Sequence, residues 1–478
     1  MALRFKNSLT RTKEDFHPIE PGKVRLYTCG PTVYDFAHIG NFRTYIFEDL
    51  LRRYLKYKDY QVTHVMNLTD VDDKTIRDSR AAGVSLKQHT QPLIKAFFED
   101  LDALGIERAE HYPAATDHIP EMVAMIKQLQ DNGLAYEIDG NYYFKISAFP
   151  DYGKLANLDL TELKAGARVA TDEYEKDSVS DFALWKAWDE DDGDIYWETE
   201  LGKGRPGWHI ECSAMSMKHL GETIDAHSGG HDNIFPHHEN EIAQSEGATG
   251  KRFVRHWIHC GYLLVDGEKM SKSKGNYFRL RDVLQRGYNP LAIRLLLLST
   301  HYRKPLNFTF EGLKGAEKNL KQLQAFLRRL ERERTTVAEG PKSLGIGMGG
   351  AGVAINQAKD EFAKALTEDL NIAKALAAIF EMTRVVNTML DDGMVLQEEM
   401  EQASEALLGF DHVLGLKLDE VREGEGVDAA FVETKLAERA KAKKAKDYAR
   451  ADAIRDELAA LGVIVEDTPQ GTKWFYAK

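Results

Sequence analysis

The chain is predicted to be an α/β protein: a parallel sheet in two halves separated by an insertion, then an α-helical bundle and a small C-terminal α+β domain. Three observations predict this. Residues 23–29, K-V-R-L-Y-T-C, form an apolar run rich in strand formers and are broken by Gly30-Pro31. His38-Ile39-Gly40-Asn41 then opens a stretch in which Phe42, Tyr45, Ile46, Leu50, Leu51 and Leu55 recur at helical spacing. A second strand run, Y-Q-V-T-H-V-M-N-L-T, follows at 60–69. Strand, helix and strand within about fifty residues mean a parallel sheet, whose ligands lie at the carboxyl ends of its strands. Cys29 and Thr69 fall at those ends, and a helix opening near His38 suits a phosphate.

Further along, 85–105 and 117–133 read as helices, and 134–147 alternates around Gly140 as a hairpin. Residues 110–205 are rich in Trp and acid, as in D-F-A-L-W-K-A-W-D-E-D-D-G-D, and form the expected insertion. The sheet resumes near Gly207, with one strand expected around 256–264 and then a polar basic loop from Glu268 to Asn276. From 290 the chain turns helical. A Gly-rich loop is expected at 335–354, two or three amphipathic helices at 356–415, and a soft joint, E-G-E-G, at 423–426. A single basic helix is expected over 431–460; its 435–450 portion holds seven Lys/Arg against two Asp/Glu, a local net of +5. The tail reads as a two-stranded element with exposed aromatics at Trp474, Phe475 and Tyr476. The expected domains are therefore 1–109 with 206–300, the insertion 110–205, the bundle 301–422 and a terminal domain 427–478.

Composition narrows the class. In 478 residues, 43% are hydrophobic and 29% charged, as in a soluble globular protein. Three cysteines cannot build a disulfide framework, so a reducing, cytoplasmic setting is expected. No apolar run reaches membrane-spanning length and the first residues lack a signal peptide's apolar core, so no membrane partner is expected. A net charge of −13 argues against a protein coated in nucleic acid but allows a local basic patch.

The most telling short stretch is F-P-H-H-E-N-E at 235–241. His237 and Glu241, four apart, share a helix face, and Pro236 sits where a first turn starts. With Cys29 and Cys212 they make a chemically suitable zinc set. Spacing alone does not choose between His237 and His238, because His238 and Glu241 are three apart and share a face too. No C-x-x-C pair fixes the site, and an isolated Cys is most often a small buried hydrophobe.

Lys269-Met270-Ser271-Lys272-Ser273 is a second informative string. Alone, such a loop is a solvated basic turn. Paired with a His at a helix N-terminus, its ammonium groups suit the charge that grows on an α-phosphate under attack by a carboxylate. The two strings resemble the HIGH and KMSKS signatures of class I aminoacyl-tRNA synthetases, and the resemblance is closest to the cysteinyl-tRNA synthetases. It rests on Y-T-C-G-P-T-V-Y-D at 27–35, N-L-T-D-V-D-D-K at 67–74, D-F-A-L-W-K at 181–186, P-G-W-H-I-E-C-S-A-M at 206–215, F-P-H-H-E-N-E-I-A-Q-S-E at 235–246 and K-M-S-K-S, and it runs from about residue 20 to the C-terminus.

The resemblance implies a Rossmann-like catalytic domain with zinc on Cys29, Cys212, His237 and Glu241, with His238 outside the ligand set and Cys260 a free thiol. It implies that His38, Asn41, Lys269 and Lys272 act on ATP with Mg²⁺. It places cysteinyl-adenylate against Gly30, Pro31, Thr32, Thr44, Asn67, Thr69, Trp208, Gly230 and Asp232. The product is L-cysteine on tRNA(Cys), made by a protein expected to be a monomer, as members of the family often are, with the terminal domain reading the anticodon. Two departures are visible: the first signature ends in Asn41 rather than His, and Ser228 and Asn233 stand where the family tends to have Gly and an aliphatic residue. Two rival readings are a cysteine ligase of the mycothiol pathway, which lacks an anticodon arm, and a non-catalytic zinc- and RNA-binding paralogue.

Overall fold

The computed structural model describes residues 2–158, 181–339, 350–420, 429–445, 447–460, 463–468 and 471–476. It divides into two compact units, Met1–Leu416 and Lys417–Lys478. In the first unit the central sheet has four strands in the order Val254–Cys260, Ile224–Gly230, Lys23–Thr28, Gln61–Met66. Every neighbouring pair is parallel, with Thr28 opposite both Met66 and Ser228. The helix Ile39–Tyr57 crosses between the first two strands in sequence, as the spacing predicts. Chain order runs outward in opposite directions from Lys23–Thr28 and Ile224–Gly230. Their carboxyl ends therefore flank a topological switch point, where open α/β sheets bind ligands.

Burial explains why the sheet holds together. Val24, Leu26, Tyr27, Val65, Ile224, Ala226, Trp257 and Ile258 are all buried, the near-continuous pattern of strands covered on both faces. The strand Ile224–Gly230 is I-D-A-H-S-G-G. Its composition hides it from propensity, and its place in the centre of the sheet makes it a strand all the same.

The insertion folds as a five-stranded antiparallel sheet in the order Ala135–Ile138, Asn141–Phe144, Phe182–Ala187, Gly202–Pro206, Trp197–Thr199. Asp139 (φ 53°) and Gly140 (φ 78°) form the tight turn of the expected hairpin. The strand expected at 256–264 is two strands. Val254–Cys260 ends in the parallel sheet, and Leu263–Val265 pairs with Leu306–Phe308 in another. At Gly261 between them a Cβ would come 2.9 Å from the Lys304 backbone, and the Gly261 N–H donates to the Tyr302 carbonyl at 2.7 Å. That close approach turns the chain out of the first sheet.

The helices Phe310–Glu339, Gly350–Thr367, Ile372–Asp391 and Gln397–Leu414 follow. The expected loop at 335–354 is thus helical at 335–339 and 350–354; 340–349 lie outside the described residues. So does the 423–426 joint. In the second unit the expected single helix 431–460 is two helices, Ala429–Lys444 and Tyr448–Ala460. Asp447 ends the first and opens the second by accepting the Arg450 N–H at 3.0 Å, the role of an N-cap. The strands Val463–Thr468 and Gly471–Tyr476 pair antiparallel. Trp474, expected to be exposed, is half-buried against a small core of Val432, Ile454, Leu458 and Val463, and its Nε1–H donates to Glu433 at 2.8 Å. The side chains of Phe475 and Tyr476 lie outside the described residues. Among the described residues, no helix is long and apolar enough to cross a membrane.

Candidate active site and metal centre

At the switch point the strand ends are fastened to one another. The Gly30 N–H donates to Asn67 Oδ1 at 2.9 Å, and a Cβ on Gly30 would lie 1.8 Å from the Asn67 carbonyl oxygen, so only glycine fits. Thr69 N–H donates to the Pro31 carbonyl at 3.1 Å and Val33 N–H to that of Thr69 at 3.0 Å. Asn67 Nδ2 reaches Thr69 Oγ1 at 3.0 Å, and Thr69 Oγ1 in turn reaches Glu211 at 3.0 Å. These contacts hold Cys29 in place at the end of the first strand.

Two helices bring the remaining candidate ligands. Trp208–Leu220 carries Cys212, and His237–Thr249 carries His237 and Glu241 on one face, with His237 Nε2 3.1 Å from Glu241 Oε1. Cys29, Cys212, His237 and Glu241 are all buried, and their donor atoms lie within 4.8 Å of one another. An overlapping set, Cys29, His227, His238 and Glu241, satisfies the same limit. Its contacts include Cys29 Sγ–His238 Nε2 at 3.3 Å and His227 Nε2–Glu241 Oε2 at 2.9 Å.

The donor chemistry fits zinc in either set, and the pair of sulfurs in the first is the softer. Burial pushes the Cys29 thiol well up, and the hydrogen bond from Cys29 holds Cys212 below its usual range. Burial also lowers His237 and His238, leaving the neutral imidazoles that metal ligation needs. Around them stand imidazoles that the sequence reading gave no role. His209 Nδ1 meets His237 Nδ1 at 2.9 Å, and His238 Nδ1 meets His259 Nε2 at 2.8 Å. His209 lies within the P-G-W-H-I-E-C string, three residues before Cys212, whereas His259 is 18 residues beyond Glu241 and carries no local signal.

The other end of the site is the start of the Ile39–Tyr57 helix. His38 is its N-cap. His38 Nδ1 accepts the Asn41 N–H at 3.1 Å, and Asn41 Oδ1 accepts the His38 N–H at 3.0 Å, a reciprocal capping box. Because Nδ1 accepts, the ring proton sits on Nε2. Burial lowers the pKa of His38, so the ring is neutral near pH 7.

One cleft of about 490 Å³ joins the two ends. Cys29, Gly30, Pro31, Thr32, His38, Asn41, Thr44, Asn67, Thr69, Trp208, Cys212, Gly230, Asp232, His237 and Lys269 all line it. Of the expected residues only Glu241, which is fully buried, and Lys272 are absent from the lining. Lys272 Nζ is bound instead to Asp35 at 2.9 Å. Trp208 stacks on His237 with ring centroids 4.5 Å apart. Cys260 lines the cleft as a buried thiol that burial pushes up to about 11. A larger groove of about 880 Å³ lies on the insertion beside Val123 and Trp197 and carries none of the expected residues.

Comparison with known proteins accounts for this pairing of features. The family described as "tRNA synthetases class I (C) catalytic domain" matches residues 15–318. A DALR domain matches 361–419, and a cysteinyl-tRNA ligase anticodon binding domain matches 430–474. The cysteine–tRNA ligase of Protochlamydia amoebophila is 50% identical over 476 residues, covering 98% of this chain and 97% of that protein. That of Solibacter usitatus is 50% identical over 474 residues, covering 99% of each. The fold resembles Mycobacterium tuberculosis methionyl-tRNA synthetase in complex with methionyl-adenylate, with a TM-score of 0.61 at 15% identity over 82% of this chain and 90% of that one. With its catalytic half and its terminal unit matched in order, and relatives that align from end to end, the chain belongs to the cysteine–tRNA ligase family of class I aminoacyl-tRNA synthetases.

Proposed function

We infer that this chain joins L-cysteine to tRNA(Cys) in two steps, first with ATP to give cysteinyl-adenylate and pyrophosphate, then by transfer to the terminal adenosine of the tRNA. The observation that carries this reading is the single cleft with a Cys-Cys-His-Glu cluster at one end and both signature segments at the other. Cys29, Cys212, His237 and Glu241 would hold zinc, which supplies a Lewis-acidic centre that favours a substrate thiolate over a serine hydroxyl. Shape alone rejects an isostere weakly, so this difference gives the selectivity.

The chain's own residues do the rest. Trp208 walls the small side chain. Gly30 to Thr32, Thr44, Asn67, Thr69, Gly230 and Asp232 surround the adenylate. The His38 Nε2–H donates to the α-phosphate as its charge grows, and the reciprocal bonds with Asn41 fix that ring. The Asn41 amide NH₂ adds a second neutral donor, and Lys269 and Lys272 add positive charge. Mg²⁺ accompanies ATP and its pyrophosphate. Residues 1–109 with 206–300 carry this chemistry around the 110–205 insertion, 301–422 orient the tRNA, and 427–478 bind the anticodon. The protein works as a cytoplasmic monomer. The anticodon-domain match at 430–474 speaks against an amino-sugar acceptor.

ATP–pyrophosphate exchange with each of the twenty amino acids, before and after zinc removal, tests the reading. Zinc-dependent exchange with cysteine and almost none with serine is expected. No exchange with cysteine in the zinc-loaded protein would refute it.

The tRNA side has its own test. Lys441, Lys443 and Lys444 lie in the last turn of Ala429–Lys444, and Lys446 lies outside the described residues. Changing all four to Glu is expected to raise the KM for tRNA at least about tenfold through lost phosphate contacts, with cysteine-dependent exchange unchanged. Equal loss of both activities would remove this segment from the tRNA surface.

A further inference from the structure

The signature loop is fastened to the opposite wall of the cleft. The Ile39 N–H donates to the Phe278 carbonyl at 3.0 Å, and within the loop the Ser271 N–H donates to Asn276 Oδ1 at 2.8 Å. A Cβ on Gly40 would come 3.2 Å from the Met270 methyl, so that side chain rests on the helix N-terminus. Two cations from this segment converge on one carboxylate. Lys272 Nζ lies 2.9 Å from Asp35 Oδ2, and Arg279 Nη2 lies 3.0 Å from Asp35 Oδ1. The Phe36 N–H also donates to Oδ1, at 2.8 Å. Asp35 sits between the first sheet strand and its helix, on the wall of the cleft, while Lys272 is 62% exposed and free to swing.

Charge makes this arrangement exchangeable. A triphosphate entering the cleft brings several negative charges to the neighbourhood of Lys272, against one on Asp35. Arg279 can stay behind, so that Asp35 does not face the phosphates as a bare like charge. We propose that Asp35 is a positioning residue: it holds the 269–275 loop on the rim of the nucleotide-free cleft through Lys272 and Arg279, and the phosphates of ATP take Lys272 from it. The proposal rests on the reading of Lys272 as a phosphate ligand. It gives a carboxylate within the Y-T-C-G-P-T-V-Y-D string a role in loading the second signature.

Limited trypsin digestion of the full chain reads the loop directly, because Lys269 and Lys274 flank Lys272. Asp35→Asn keeps an oxygen for the Phe36 N–H and removes the charge. Without ATP, cleavage at Lys269 and Lys274 is expected to be about fivefold faster in Asp35→Asn than in the wild type, the size that two partly exposed ion pairs support. With saturating ATP and Mg²⁺ the two proteins should be protected alike. Lys272→Gln breaks one of the two ion pairs from the loop side, leaves Arg279 on Asp35, and should speed cleavage about twofold in the free state. Unchanged cleavage in either variant would overturn the proposal, and so would protection by ATP that is lost in Asp35→Asn. Pyrophosphate exchange by Lys272→Gln separates this from the underlying reading: full exchange would remove Lys272 from the phosphate, while the cleavage rates still decide whether Asp35 holds the loop.

Discussion

Cys212→Ser is expected to lower cysteine-dependent pyrophosphate exchange at least about a hundredfold and to leave the purified protein short of zinc. The substitution is close to isosteric, so the buried helix Trp208–Leu220 keeps its packing. Its chemistry is what changes. A serine hydroxyl does not ionise near neutral pH and is a hard donor where zinc prefers sulfur. Loss even of a residue that only supports a metal ligand typically costs 10- to 100-fold in affinity or activity, and a ligand costs more. Cys260→Ser is the matched control. Its thiol is equally buried, yet it donates to the Arg43 carbonyl at 3.8 Å and belongs to neither candidate ligand set. That variant should retain its zinc. Zinc content and exchange together also distinguish the two overlapping sets. If Cys212→Ser keeps both, the metal lies among Cys29, His227, His238 and Glu241. In that case His227→Ala, and not His237→Ala, should empty the site.

The same residues show what a sequence can reveal and where it stops. The four-residue step from His237 to Glu241 is a local property of a helix, and it survives folding as a 3.1 Å contact. The strand–turn–helix around Cys29 and His38 is likewise local: apolar periodicity marks the helix, and Gly30-Pro31 marks the break. Choosing between His237 and His238 was beyond spacing, because both lie a turn from Glu241. In the folded chain both still face the same cluster, His237 through Nε2 and His238 through an Nε2 that lies 3.3 Å from Cys29. The strand Ile224–Gly230 was hidden because its Gly, Ser and His side chains suit a crowded sheet centre rather than an intrinsic strand preference. The Asp35–Lys272 contact joins residues 237 apart, and no periodicity reaches that far. The break at Asp447 went unread for a different reason. Basic residues continue on both sides, and one capping carboxylate outweighs the run.

Asp49→Ala is expected to produce the largest loss of stability. Asp49 lies in the middle of the helix that starts at His38, and its side chain is 1% exposed. Its carboxylate binds the guanidinium of Arg294, which is fully buried, and Arg53 Nε at 2.8 Å. The same two arginines reach helix ends from elsewhere in the unit. Arg294 donates to the carbonyls of Leu414 at 2.6 Å and Leu104 at 3.2 Å; Arg53 donates to those of His412 at 3.1 Å and Gly105 at 2.8 Å. One carboxylate thus pairs with two cations that tie the C-terminal ends of the helices Leu86–Ala103 and Gln397–Leu414 to the helix Ile39–Tyr57. Removing it takes the ion-pair partner from the fully buried Arg294 and leaves Arg53 with Glu107 at 3.3 Å, at a cost of about 3–5 kcal/mol. At about 2.1 cal/mol/K per residue over the 416-residue unit, that corresponds to a Tm lower by about 3–6 °C. The pH dependence gives the sign. Burial alone would raise the pKa of Asp49, but Arg294 and Arg53 outweigh it and hold the group below its usual range. Its contribution is therefore complete above the unfolded value of about 3.9 and is lost as pH falls through the folded one. The gap in Tm between the wild type and Asp49→Ala should be full at pH 7 and should narrow in acid below that value. A gap of less than about 1 °C at pH 7 would mean that desolvation of the two arginines already offsets the pairing. These helix ends would then be held by apolar packing, and His38 and Asn41 would stand on a helix that needs no charge to fix it.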